Sequence, residues 1–302
     1  MFKSKNSMSR ALVRRETTAG YLFLLPSLFF FVTFVLYPMF LCIYTSFFDS
    51  NMGKNAVDVF VGLGNYKELF RDKLFLGALK NTVIIVVVAV PTVCAFSLWV
   101  ATAIYDMKPA LTSAFRCIFY LPVVTGSVAV TVVWKWMYNS RYGVFNYLFK
   151  SLGIIDQNLN WLGDARFALW CIILILFTTS VGQPIVLYVS ALGNVDHSLV
   201  EAAQVDGANR RQVFWKIKWA QIMPTTLYIL IITTINSFQC FALIQLLTSG
   251  GPTHSTDTIM YYIYYTAFKL YRYGYGNAMG VVLMIIIAVL SAVQFKLGQQ
   301  SD

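Results

Sequence analysis

Thr233, Asn236, Ser237 and Cys240 follow one another at i, i+3, i+4 and i+7, so a helix holding them puts all four on one face. Thr179, Ser180 and Gln183 form a second uncharged polar group. Neither group contains a catalytic acid or base. Hydroxyls and amides with aromatic neighbours suit hydrogen bonding to a sugar and stacking on its rings. They suit equally well the hydrogen bonds that hold apolar helices together, about 0.6–2 kcal/mol each. The residues alone leave both readings open. Other chemistry finds little support. Cys42, Cys94, Cys117, Cys171 and Cys240 all fall in apolar runs without a CxxC pair, as buried thiols do. His197 and His254 lie far apart without companion ligands, so no metal site is expected. No G-x-x-x-x-G-K-[ST] occurs, so the chain itself holds no ATP or Mg in a P-loop. The expectation is a protein that is not an enzyme and has no cofactor of its own.

The elements that carry these groups are apolar. The chain is 58% hydrophobic and 12% charged, against about 25% charged in soluble domains. Six stretches free of Asp, Glu, Lys and Arg hold 32, 25, 18, 29, 38 and 23 residues. A membrane-spanning helix needs about 20. The reading is an all-α integral membrane protein with spans at 20–47, 82–105, 114–138, 167–192, 225–247 and 276–296. The first apolar run is nearly twice the length of a secretory h-region and lacks a cleavage site, so it is expected to stay as an anchor. The net charge of +10 suits contact with anionic lipid better than with nucleic acid. Lys3, Lys5, Arg10, Arg14 and Arg15 cluster before the first span, which puts both termini in the cytoplasm. The domains expected are a cytoplasmic segment 1–19, a transmembrane domain 20–297 and a tail 298–302.

Loops carry further signals. "VGLGNYKELF" predicts a turn at Gly62 and Gly64 before a short helix. "YNSRYGVFNYLFKSLG" and the Tyr-rich "DTIMYYIYYTAF" are aromatic enough to lie at the membrane interface. Pro26, Pro38, Pro91, Pro122 and Pro184 fall within spans, where neighbouring helices can satisfy the freed carbonyls. The loop 193–224 is longer than two neighbouring spans need. Leu199, Ala202, Ala203 and Val205 fall at roughly helical spacing. Ser198 is the expected cap, with Glu201 completing a capping box. Asp206-Gly207 then breaks the helix, and a second short helix comes next with Phe214 and Ile217 on one side. Such a loop either rests on lipid headgroups or offers a small Ala face to a partner.

"EAAQVDGA" at 201–208 resembles the EAA motif of ABC-importer permeases. The longer "EAAQVDGANRRQVFWKI…MP" is similar to the carbohydrate branch of that family. "GLGNY", "LPVVTGSVAVTVVWKWMYNSRYGVFN" and "GYGNAM" fit the same branch, and "FALIQLLTSGGP" resembles the larger maltose-transporter permease subunit. The likeness covers residues 15–297. It implies a type I importer permease of a bacterial plasma (inner) membrane, carrying a sugar or oligosaccharide delivered by an extracytoplasmic solute-binding protein. It implies a second permease subunit, favouring a heterodimer, and a cytoplasmic ATPase dimer that binds ATP and Mg. Glu201, Ala202, Ala203, Asp206 and Gly207 then form the element that docks on the ATPase. Thr179, Ser180, Gln183, Thr233, Asn236, Ser237 and Cys240 fall at positions that line the sugar pocket of the maltose relative, although most identities differ. A polar solute such as a glycerol phosphate is the alternative. No ionisable residue interrupts the apolar runs, which disfavours an ion-driven carrier. "GYG" at 274–276 lacks the Thr-Val that a potassium filter needs before it. Gly276 and Gly280 instead predict close packing of the last span.

Overall fold

A computed structural model describes residues 3–50 and 58–299, with side chains from Val13 to Gly298. The basic side chains before Val13 and the end of the expected tail therefore lie outside the described residues. Five helices are long and apolar enough to cross a membrane: Val13–Thr45, Lys73–Tyr105, Ala168–Gly193, Arg210–Leu247 and Tyr273–Gly298. Pro109–Val124 and Ser127–Met137 are long and apolar enough together, and counted as one bent span they bring the number to six. The protein is an all-α, multi-pass membrane protein.

The third span corrects the sequence reading, which drew it as one helix over 114–138. Its halves meet at 95°. Pro122 offers no N–H to the preceding turn, and Thr125 and Gly126 are extended, with ψ of 126° and 143°. The fifth span is also broken. Its helix stops at Phe238 and resumes at Ala242–Leu247. No proline or glycine marks that break. Ahead of Pro38 the first span widens into a π turn, Val32–Leu36, closed by the Tyr37 N–H on the Val32 carbonyl. The turn accommodates the hydrogen bond that Pro38 cannot make.

The second, fourth and fifth spans build the main core around Val93, Ala101, Ile185, Tyr188, Ile222 and Ile229. The fourth span presses on the third at Gly182. A Cβ there would collide with the Phe119 carbonyl oxygen and come within 2.9 Å of Val123 Cγ2. The first span stands apart. The apolar window that marks it as a span is 0% buried, and Tyr37–Thr45 is the part that packs on the last span.

The opposite end from the long loop is capped by short pieces. Gly62, at φ +55°, turns the chain into the short helix Gly64–Leu69, as expected. A strand pair, Phe48–Asp49 with Val59–Phe60, was not anticipated. The Tyr-rich helix Ile259–Tyr264 is not laid on the interface. Ile259, Tyr261 and Tyr262 are buried, and Ile259 and Tyr262 pack with Leu69, Phe75, Phe238 and Met279. Tyr262 and Tyr275 both donate to Asp72 Oδ2, at 2.7 and 2.9 Å. Burial works to raise the Asp72 pKa, but these bonds and two backbone N–H donors hold it below its usual range. Helix Val144–Ser151 turns Phe145 inward onto Tyr138 and leaves Tyr147 exposed. Gly276 faces Ala267, whereas Gly280 lies near Cys42 of the first span, so the two glycines serve different neighbours.

Candidate functional site: an exposed helix and a polar cleft

The loop helix runs His197–Val205. Its cap is Asp196, not the expected Ser198. Asp196 Oδ1 accepts from the Ser198 N–H at 2.8 Å and from its hydroxyl at 2.7 Å. A carboxylate is the stronger acceptor for the free N–H groups of a first turn. These bonds hold the Asp196 carboxyl below its ordinary pKa. The other end closes as the Asp-Gly pair predicts. Gly207 adopts φ +81°, its N–H reaches Gln204 O, and the Ala208 N–H reaches Ala203 O at 2.9 Å. That is a Schellman closure, which needs a left-handed residue where Gly207 stands.

The second half of the loop is not a separate helix, as the sequence reading had it. Asn209 and Gln212 form a capping box, and the chain runs from Arg210 through a π turn at Phe214–Lys218 into Trp219–Phe238. This half is thus the start of the fifth-span helix. Two contacts fix its root. Gln221 Oε1 accepts from the Asp196 N–H at 3.0 Å, and Lys218 Nζ lies 4.9 Å from the centre of the Tyr105 ring on the second span. Sequence reasoning missed Gln221, which carries no local signal.

The loop helix stands clear of the bundle. Glu201, Ala202, Asp206 and Gly207 are exposed, and Ala203 is half-buried. Leu199 is 51% exposed and Val205 88%. Apolar side chains on an otherwise polar helix gain nothing from this chain's own core, so the face fits a partner's surface.

Deeper in the bundle, the structure brings five of the seven polar candidates together. Thr179, Ser180 and Gln183 of the fourth span face Thr233 and Asn236 of the fifth across a cleft of 150 Å³. Gln183 and Asn236 are exposed at its mouth. Pro184 lines the same cleft and leaves no backbone donor for the Ser180 carbonyl. A second cleft of 350 Å³ shares Thr179 and Val123 with the first. It reaches Cys240 and three residues the sequence did not single out, Thr125, Ser127 and Gln239. These three sit at the two breaks in the third and fifth spans. Pro122 and Gly126 signal the first break; nothing local signals the second. Ser237 departs from expectation, being 2% exposed and outside both clefts. No charged side chain lines either cleft.

Known proteins resemble this chain in sequence and fold. A family described as "Binding-protein-dependent transport system inner membrane component" matches residues 61–299. The probable ABC transporter permease protein YesP of Bacillus subtilis is 32% identical over 288 residues, covering 94% of this chain and 91% of its own. The lactose transport system permease protein LacF of Rhizobium radiobacter is 32% identical over 288 residues, covering 94% and 95%. Among solved structures, a chain of a bacterial alginate ABC transporter, crystallised with an alginate pentasaccharide-bound periplasmic protein, superposes with a TM-score of 0.80. It shares 24% identity and covers 93% of each chain, so the fold is shared.

Proposed function

The chain belongs to the family of binding-protein-dependent transport system inner membrane components, as a permease of an ABC importer and not an enzyme, and from that membership we propose that it passes a sugar or oligosaccharide through the polar clefts between its third, fourth and fifth spans. The observation that carries this reading is the convergence of Thr179, Ser180, Gln183, Thr233 and Asn236 on one uncharged cleft. Amides and hydroxyls there exchange hydrogen bonds with the hydroxyls of a neutral solute as it leaves water. The absence of Lys, Arg and His from either lining favours a sugar over a glycerol phosphate, whose charge would lack a partner in a low-dielectric passage.

In this reading Glu201, Ala202, Asp206 and Gly207 present the loop helix to an ATPase subunit, with the exposed Leu199 and Val205 as its apolar contacts. Ala203, being half-buried, contributes mainly as a small residue at the helix root. Motion of the ATPase passes to the fifth span because the loop's second half and that span share one helix from Arg210. The ATPase binds ATP and Mg; this chain supplies neither ligand. A solute-binding protein delivers the cargo on the opposite side. A second, different permease completes the passage and covers part of the uncovered first span. Both termini and the loop are cytoplasmic. The membrane is the plasma (inner) membrane of a bacterium. The test is uptake by proteoliposomes containing the full complex and binding protein. A panel of labelled neutral oligosaccharides should include a carried member. Carriage of sn-glycerol 3-phosphate, and of no sugar, would refute the choice of solute.

A further inference from the structure

Behind the loop helix lies a cleft of 530 Å³ that the transport reading does not use. Thr102, Tyr105 and Asp106 wall it from the end of the second span, His197 and Gln204 from the loop helix, and Arg210 and Lys218 from the base of the fifth. Leu192, Val195 and Val213 make an apolar floor. The volume is typical of small-molecule sites, which run about 300–1,000 Å³. Among the described residues, Arg210 and Lys218 have no carboxylate within ion-pair distance. The Tyr105 ring steers the Lys218 ammonium without neutralising it. Beside the cleft Trp215 is 59% exposed, with its ring 5.5 Å from that of Trp219. Rings and lysines gather in this way at the level of lipid headgroups.

We propose that this cleft binds a phosphate-bearing anion, supplied either by an anionic phospholipid headgroup or by a free phosphate compound, with Arg210 and Lys218 as its charged ligands. The Arg210 guanidinium offers a two-pronged donor to phosphate oxygens, and Lys218 a point charge. Asp106 opposes the anion and limits its affinity. Because Gln204 on the loop helix lines the same cleft as Asp106 and Lys218, an occupied site braces that helix against the second and fifth spans.

The test uses the assembled transporter with its ATPase. In one arm it sits in nanodiscs of phosphatidylcholine with or without phosphatidylglycerol, and retained phosphatidylglycerol is counted by native mass spectrometry. In the other arm inorganic pyrophosphate is titrated calorimetrically into the phosphatidylcholine form. Binding in the first arm identifies a lipid source and in the second a soluble one. In whichever arm binds, Arg210→Ala and Lys218→Ala each weaken binding about fivefold. Asp106→Asn strengthens it, a gain that misfolding cannot imitate. Binding indifferent to all three changes, binding weakened by Asp106→Asn, or no binding in either arm overturns the proposal.

Discussion

Asn236 and Gln183 bring long amides to the mouth of a cleft that no charged residue shares. Asn236→Leu keeps the number and branching of side-chain heavy atoms and removes a donor and an acceptor. A sugar hydroxyl left unpaired there costs about 1–3 kcal/mol, so uptake should fall about 5- to 150-fold while expression and basal ATP hydrolysis hold. Loss of assembly instead would show that Asn236 is hydrogen-bond glue between helices. Ser237→Ala should leave the choice of sugar unchanged, since Ser237 is buried outside the clefts; a changed uptake profile would contradict its placement. Gly182 has no space for a side chain against the Phe119 carbonyl. Gly182→Ala should destabilise the folded protein by about 1–3 kcal/mol through overpacking, read as a lower unfolding temperature in detergent. At this scale the sequence was partly legible. Spacing put Thr233, Asn236, Ser237 and Cys240 on one face, but a face is wide. The break after Phe238, invisible in the residue types, takes Cys240 off that face to the second cleft, and Ser237 is buried outside both clefts.

The loop helix is closed at one end by the Asp-Gly turn that the sequence announces and at the other by Asp196, where Ser198 was expected. Asp-Gly predicts the left-handed Gly207, whereas the choice between Asp196 and Ser198 as cap rests on acceptor strength, which pattern alone does not rank. Gly207→Val forces a β-branched residue into φ +81° and should unravel the last turn. Val205 is almost wholly exposed, so Val205→Asp should leave the permease folded and in the membrane. Both variants should lose co-purification of the ATPase. Retention of the ATPase and normal uptake by Val205→Asp would remove this face from the docking surface. The fused helix from Arg210 to Phe238 was not legible, because Arg210, Arg211, Lys216 and Lys218 set a second short loop helix apart from the uncharged run that continues it. The bend of the third span was marked by Pro122 and Gly126, yet its angle depends on packing against the fourth span.

For the whole molecule, charge-free stretches located all six crossings, because the bilayer rejects charge wherever backbone crosses it. They could not reveal which spans are broken, and the breaks in the third and fifth spans line the second polar cleft. Irregular backbone at membrane depth is tolerated where it lines a cavity. In a cysteine-free background, Val205→Cys and Tyr147→Cys, both exposed and at opposite ends of the bundle, should label from opposite faces of right-side-out vesicles. Labelling of both from one face would overturn the six-crossing topology. The cleft between the fourth and fifth spans is, in the proposed function, the solute's route, opened and closed by the loop helix. Its most direct test is the reactivity of Gln183→Cys toward a small water-soluble thiol reagent in the reconstituted complex, with and without ATP and vanadate and with and without the carried sugar. Labelling should change between the two nucleotide states and be slowed by the sugar. Labelling indifferent to both nucleotide and sugar would contradict it.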